Sequence, residues 1–190
     1  AAAITAGVTL NVESVTELKR ICQLGAQLQL TPAVALRVNP AFELKSSGMK
    51  MAGGAKAFGI DQAQIWDLLP ELQTGPLQLV GFHLYCGSQN LQADAILQSQ
   101  RQSLQLLAQL RPHCLQLQFF NLGGGFGVPY FPADKTLDLA AVGAGMQQIA
   151  AVDDDRTLAR SGLDQMETFA ERRAVAIQLP QGARAELAQT

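Results

Sequence analysis

The chain has no basic cluster, no cysteine pairing pattern and no apolar run of transmembrane length, and each absence removes a class of function. Fourteen Lys and Arg against sixteen Asp and Glu leave a net charge of -2, with no patch that could track a phosphate backbone. Nucleic acid is therefore not an expected partner. Cys22, Cys86 and Cys114 are odd in number and far apart, with no Cys-x-x-Cys and no His at metal-ligand spacing. Neither a disulfide framework nor a metal site follows, and a reducing cytoplasm is the expected compartment. The opening Ala1 to Gly7 lacks the basic start and apolar length of an export signal, so no membrane partner is expected. No Ser-His-Asp arrangement or close carboxylate pair stands out.

What is present is enough apolar sequence for one core: 190 residues, 48% hydrophobic and 16% charged. Val8 to Glu13 alternates as a strand does, and Ser14-Val15-Thr16-Glu17 then follows the capping-box pattern ahead of Leu18, Ile21, Cys22 and Gly25. Ala33 to Asn39 predicts a second strand, stopped by Pro40. Residues 42–59 hold four glycines and no period, which predicts a long loop of the kind that compact domains keep for function. Asp61 is expected to cap a helix bearing Ile65, Leu68, Leu69 and Leu72, disturbed at Pro70. Asp94 is expected to cap another, with Leu97, Leu104, Leu107 and Leu110 on a stripe closed by Pro112.

Between these helices lies Gly81-Phe82-His83-Leu84-Tyr85-Cys86-Gly87-Ser88-Gln89-Asn90. Strand alternation puts Leu79, Gly81, His83 and Tyr85 on one face and Val80, Phe82 and Leu84 on the other. The first face leads to Gly87 and Ser88, which can offer a backbone N–H and a hydroxyl to an anion. A fourth strand, Leu115 to Leu122, runs into Gly123-Gly124-Gly125-Phe126-Gly127. On the triplet alone, a tight turn and a phosphate cradle are both open. The glycine spacing does not match a dinucleotide fingerprint or a Walker loop. Arg37 ends a buried strand and needs an anionic partner, for which Glu13, Glu43 and a ligand are the alternatives. His113 is expected to be solvated.

Strand and helix alternate, with ligand-like residues after the strands, which predicts an α/β fold with a parallel sheet and a site at its carboxyl edge. From residue 150 onward the composition changes, so residues 1–149 are expected to form the domain and residues 150–190 an atypical tail.

Five stretches in order resemble the barrel domain of the pyridoxal-phosphate-dependent decarboxylases of ornithine, arginine and diaminopimelate, the alanine-racemase-fold group. They are Asn11-Val12-Glu13-Ser14 with Glu17-Leu18, Leu36-Arg37-Val38-Asn39-Pro40, Lys56-Ala57-Phe58-Gly59-Ile60, Gly81-Phe82-His83 with Gly87-Ser88-Gln89, and Asn121-Leu122-Gly123-Gly124-Gly125-Phe126-Gly127. The Gly48-Met49-Lys50-Met51 loop with Gly53-Gly54 is most similar to the exosortase-associated subgroup and to relatives that decarboxylate carrier-protein-linked amino acids. The resemblance implies a partial (β/α)8 barrel of the alanine racemase type that binds pyridoxal 5'-phosphate, without the family's carboxyl-terminal β domain. It implies that Ser88 and Gly123, Gly124 and Gly125 hold the phosphate, that Arg37 lies beside the pyridine ring, and that Tyr85 stacks where the family has a His. His83 matches an earlier His of the diaminopimelate enzymes, and Lys56 matches a position that in relatives reaches the second subunit of a homodimer. The family's Schiff-base lysine motif and its Glu-x-Gly-Arg motif have no counterpart here, so no catalytic residue is assigned. The expected function is that of a fragment of an amino-acid decarboxylase acting on a substrate such as diaminopimelate or a carrier-linked amino acid; the alternative is a non-catalytic phosphate-binding module or pseudoenzyme.

Overall fold

The computed structural model describes residues 1–42, 49–50, 57–114 and 117–152. Glu43, Lys56, most of the 42–59 loop and the tail from residue 153 lie outside the described residues.

A short helix α1 (Ala2–Thr5) precedes β1 (Leu10–Val12), α2 (Val15–Leu28) and β2 (Ala33–Asn39). The Ser14 hydroxyl accepts the Glu17 N–H at 3.1 Å, as the capping pattern predicts. The Glu17 carboxylate reaches back one residue further than a regular box, to the Glu13 N–H at 2.8 Å. A two-residue strand β3 (Met49–Lys50) and β4 (Ile60–Asp61) lead to α3 (Gln62–Thr74), then β5 (Gln78–Leu84), β6 (Gly87–Ser88) and α4 (Ala93–Leu110). Helix α4 ends in a single 3-10 turn, Arg111–His113, followed by β7 (Phe119–Asn121) and α5 (Leu139–Val152).

The main sheet is parallel, in the order β1-β2-β5-β7, with β4 paired to the end of β2. The expected alternation and strand direction are both observed. Its helix-facing side is apolar: Val12, Leu36 and Phe82 are fully buried and Phe120 nearly so, and the strand pairings place these four side by side. Ile65, Leu69 and Leu72 of α3 and Leu106, Leu107 and Leu110 of α4 close over that side in one cluster. The opposite face carries Asn11, Ala35, Gly81 and Phe119 in one row and Arg37, His83 and Asn121 in the next. The same sheet is thus core on one side and chemical on the other.

Five expectations are corrected. A β-bulge at Val34/Ala35 lets Leu79 pair with Val34 and Gly81 with Ala35, leaving Val80 as the extra residue of β5. Leu79 therefore joins the main core rather than the face of Gly81 and His83. Asp61 sits at the start of α3 but makes no side-chain cap, because its carboxylate accepts the Asn39 amide at 2.6 Å instead. Helix α4 begins before Asp94, which lies in its first turn, and the Asn90 side chain receives the Gln92 N–H at 2.8 Å. The fourth strand spans Phe119–Asn121 and not the whole run from Leu115. Pro70 does not break α3, since the helix continues through it to Thr74. His113 is exposed, yet its ring meets Trp66 edge-on at 5.6 Å between centroids.

Candidate cofactor site

The polar row of the sheet rises to its carboxyl edge, where three strands contribute one linked group. Arg37 on β2 donates to the Glu13 carboxylate at 2.8 Å, one of the partners left open by the sequence; Glu43 is not among the described residues. The Arg37 side chain is only 11% exposed, so this pairing offsets part of the desolvation of the guanidinium. The guanidinium carbon also lies 5.8 Å from the Tyr85 ring centroid and 5.4 Å from that of Phe58, within cation–π range. His83, beside Arg37 in the pairing of β2 with β5, accepts the Asn11 amide at Nδ1 over 2.9 Å. That bond leaves the proton of neutral His83 on Nε2. Burial pushes its pKa down to about 4, helped by the Arg37 charge and opposed by Glu13. An imidazole at this site is therefore uncharged near neutral pH.

Beyond Tyr85, the two loops after β5 and β7 are stitched together. Asn90 N–H donates to Gly125 O at 2.9 Å and Asn90 O accepts from Gly127 N–H at 2.8 Å. The Gln89 side chain brackets Val128, receiving its N–H and donating to its carbonyl. Asn121 Oδ1 holds the Gly123 N–H at 2.9 Å. Gly123 and Gly125 have φ of 72° and 82°, in the left-handed region that favours glycine. A Cβ on either would strike backbone carbonyl oxygen, of Leu84 for Gly123 and of Gly87 for Gly125. Gly124 differs: a Cβ there would meet nothing closer than the Phe126 ring at 4.0 Å.

This arrangement fits a phosphate group. The N–H groups of Gly124 and Gly125 donate to no acceptor among the described residues, and the backbone they belong to is pressed onto Gly87–Ser88. Ser88 is half-buried, in a strand pair with Met49. Adjacent N–H donors in a glycine turn, with a hydroxyl beside them, form the concave donor set that oxyanions occupy. The Tyr85 ring flanks the turn, since a Cβ on Gly123 would lie 2.9 Å from it. A phosphorylated aromatic cofactor has in this one place donors for its anion and a ring to stack on.

The structure brings together Arg37, His83, Tyr85, Ser88, Gly123, Gly124 and Gly125, all at one end of the sheet. It adds Asn11, which orients His83, and Asn90, which is fully buried and knots the two loops. Both lie in stretches that the sequence singled out, but neither was given a role, because an Asn in a strand or loop has no pattern until its partners are known.

Residues 1–160 match the family model described as pyridoxal-dependent decarboxylase, pyridoxal binding domain. The L-glutamyl-[BtrI acyl-carrier protein] decarboxylase of Niallia circulans is 36% identical over 134 residues, covering 68% of this chain and 31% of that protein. A diaminopimelate decarboxylase of Neisseria meningitidis is 32% identical over 154 residues, 77% of this chain and 37% of its own. Among solved structures, diaminopimelate decarboxylase from Helicobacter pylori complexed with L-lysine superposes with a TM-score of 0.66 at 26% identity, over 74% of this chain and 36% of that one. The enzyme from M. jannaschii in co-complex with L-lysine gives 0.59 at 28%, over 73% and 34%. The chain spans about a third of the length of the curated relatives it matches. The four parallel strands are thus part of an alanine-racemase-type barrel, and the chain belongs to the pyridoxal-dependent decarboxylase family through its pyridoxal-binding domain.

Proposed function

We propose that this chain is the cofactor-holding part of a pyridoxal-phosphate-dependent amino-acid decarboxylase whose substrate is diaminopimelate or an amino acid carried on an acyl carrier protein. The observation that carries this reading is the Gly123–Gly125 turn, folded onto Gly87–Ser88 with two N–H donors that have no acceptor among the described residues, at the carboxyl edge of a parallel sheet. Substrate class is supported by the relatives, among which carrier-linked and free amino acids both occur. Residues 1–149 form the binding part. A homodimer, with Lys56 toward the second subunit, and a cytoplasmic setting complete the proposal.

Pyridoxal phosphate, when bound, supplies an electron sink for the pair released as an α-carboxylate leaves. This chain's residues do the holding. The Gly124 and Gly125 N–H groups and the Ser88 hydroxyl take the phosphate, and Tyr85 gives a flat face for the ring. Arg37, fixed by Glu13, sets a positive charge beside Tyr85. His83 presents an uncharged Nε2–H because Asn11 occupies its other nitrogen.

Titration of the 190-residue chain with pyridoxal phosphate tests the reading. Saturable binding that weakens when Ser88→Ala is introduced is expected, without release of carbon dioxide from diaminopimelate. A folded chain that fails to bind the cofactor overturns the assignment.

A further inference from the structure

Between the glycine turn and α4 lies a small cavity whose lining includes Cys86, Gly87, Ile96, Ser99, Gln100 and Gly124. It has room for about one water molecule. Ser99, Gln100 and Ser103 form a polar stripe on a helix face that is otherwise core, 6%, 7% and 1% exposed respectively. Cys86 and Ser103 are partners, with Sγ and Oγ 4.0 Å apart. Gln100 is spent only in part. Its Nε2 donates to the Leu122 carbonyl at 3.4 Å, while its buried Oε1 has no partner among the described residues. Such an atom is costly unless something occupies the cavity.

We propose that Gln100 is a positioning residue for the phosphate turn: its amide N–H holds Leu122, and its orphan oxygen accepts from a buried water that props Gly87 and Gly124 from behind. The inference rests on the phosphate reading of that turn. The water has the polar partners it needs, because Gln100 supplies an acceptor and the Ser99 hydroxyl lines the same cavity. The consequence is specific to the anion. Gln100 bonds to Leu122, and neither Tyr85 nor the Arg37 pair lines its cavity, so what it steadies is the donor geometry of the turn.

The test compares pyridoxal phosphate with pyridoxal, which shares the ring and lacks the phosphate. In Gln100→Met, of similar length but without the amide, the preference for the phosphorylated ligand is expected to fall about three- to tenfold, with pyridoxal affinity unchanged. Gln100→Glu, which sets a carboxylate behind the anion, is expected to lose more, and it provides a second reading should the Met variant fold poorly. Ser103→Ala, in the same buried stripe but bonded to Cys86, should leave the preference intact. Equal preference in wild type and both Gln100 variants overturns the positioning role while the phosphate site stands. Absence of any preference in the wild type overturns the phosphate site and the inference together.

Discussion

At the scale of single residues, the three glycines of the turn separate into two kinds. Gly125 combines a left-handed φ with a Cβ direction that runs into the Gly87 carbonyl, whereas the Cβ direction of Gly124 is clear. Gly125→Ala is therefore expected to destabilise the fold by about 1–3 kcal/mol, through strain and displacement of the Ser88 loop. Gly124→Ala should leave the unfolding midpoint near the wild-type value and weaken pyridoxal phosphate binding, since the new methyl projects into unclaimed space beside the donors. Urea unfolding and a cofactor titration on both variants check the contrast. His83 makes a second residue-level prediction. Its native pKa of about 4 lies below the ordinary 6.5, so the unfolded state binds the extra proton first. Its effect is absent above pH 6.5. As pH falls from 6.5 to 4 the native state loses up to about 3 kcal/mol relative to the unfolded chain. His83→Gln should flatten that part of the stability profile, measured by urea melts across the window.

At the scale of elements, the parts that were legible in sequence are those whose cause is local. The start of α2 is one: Ser14 and Glu17 lie within one turn, and both use their side chains on nearby N–H groups. Ser14→Ala is expected to cost about 1 kcal/mol, read as a lower unfolding midpoint without change in cofactor affinity. The alternation of β5 from Gly81 to Leu84 and the glycine turn after β7 were legible for the same reason. What failed depended on distant partners. Asp61 has the residue type and position of a cap, but Asn39, brought alongside by the β2–β4 pairing, claims its carboxylate. Asp94 looks like the start of α4, yet Asn90, held by Gly125 and Gly127, sets the start earlier. The bulge that moves Leu79 into the core arises where β2 and β5 pair, and no periodicity in β5 alone encodes it. Candidate site residues were named by type, spacing and family resemblance, and Glu13 was among the partners offered for Arg37; the Asn11–His83 bond was not legible, because it forms only across strands.

At the scale of the whole molecule, the described sheet has four principal strands, where a closed barrel has eight, and its polar face carries the candidate site residues Arg37 and His83. Next to that face, Val128, Tyr130 and Phe131 stand 56%, 72% and 71% exposed. They are not loosely displayed. Asp134 accepts both the Tyr130 and Phe131 N–H groups, at 2.9 and 3.0 Å, and Gln89 grips Val128 from the other end. With the backbone held in this way less conformational entropy is lost when these aromatic side chains are buried, which is what contact surfaces favour. A net charge of -2 gives only weak repulsion between copies. The 190-residue chain is therefore expected to self-associate as its concentration rises, with little sensitivity to salt because apolar burial drives it. Sedimentation velocity over a concentration series should show this, and the double variant Tyr130→Ser, Phe131→Ser should shift it toward monomer. Association undiminished in that variant would instead direct attention to the sheet edges at β1 and β7, whose outer hydrogen-bonding groups are unpaired by any strand among the described residues.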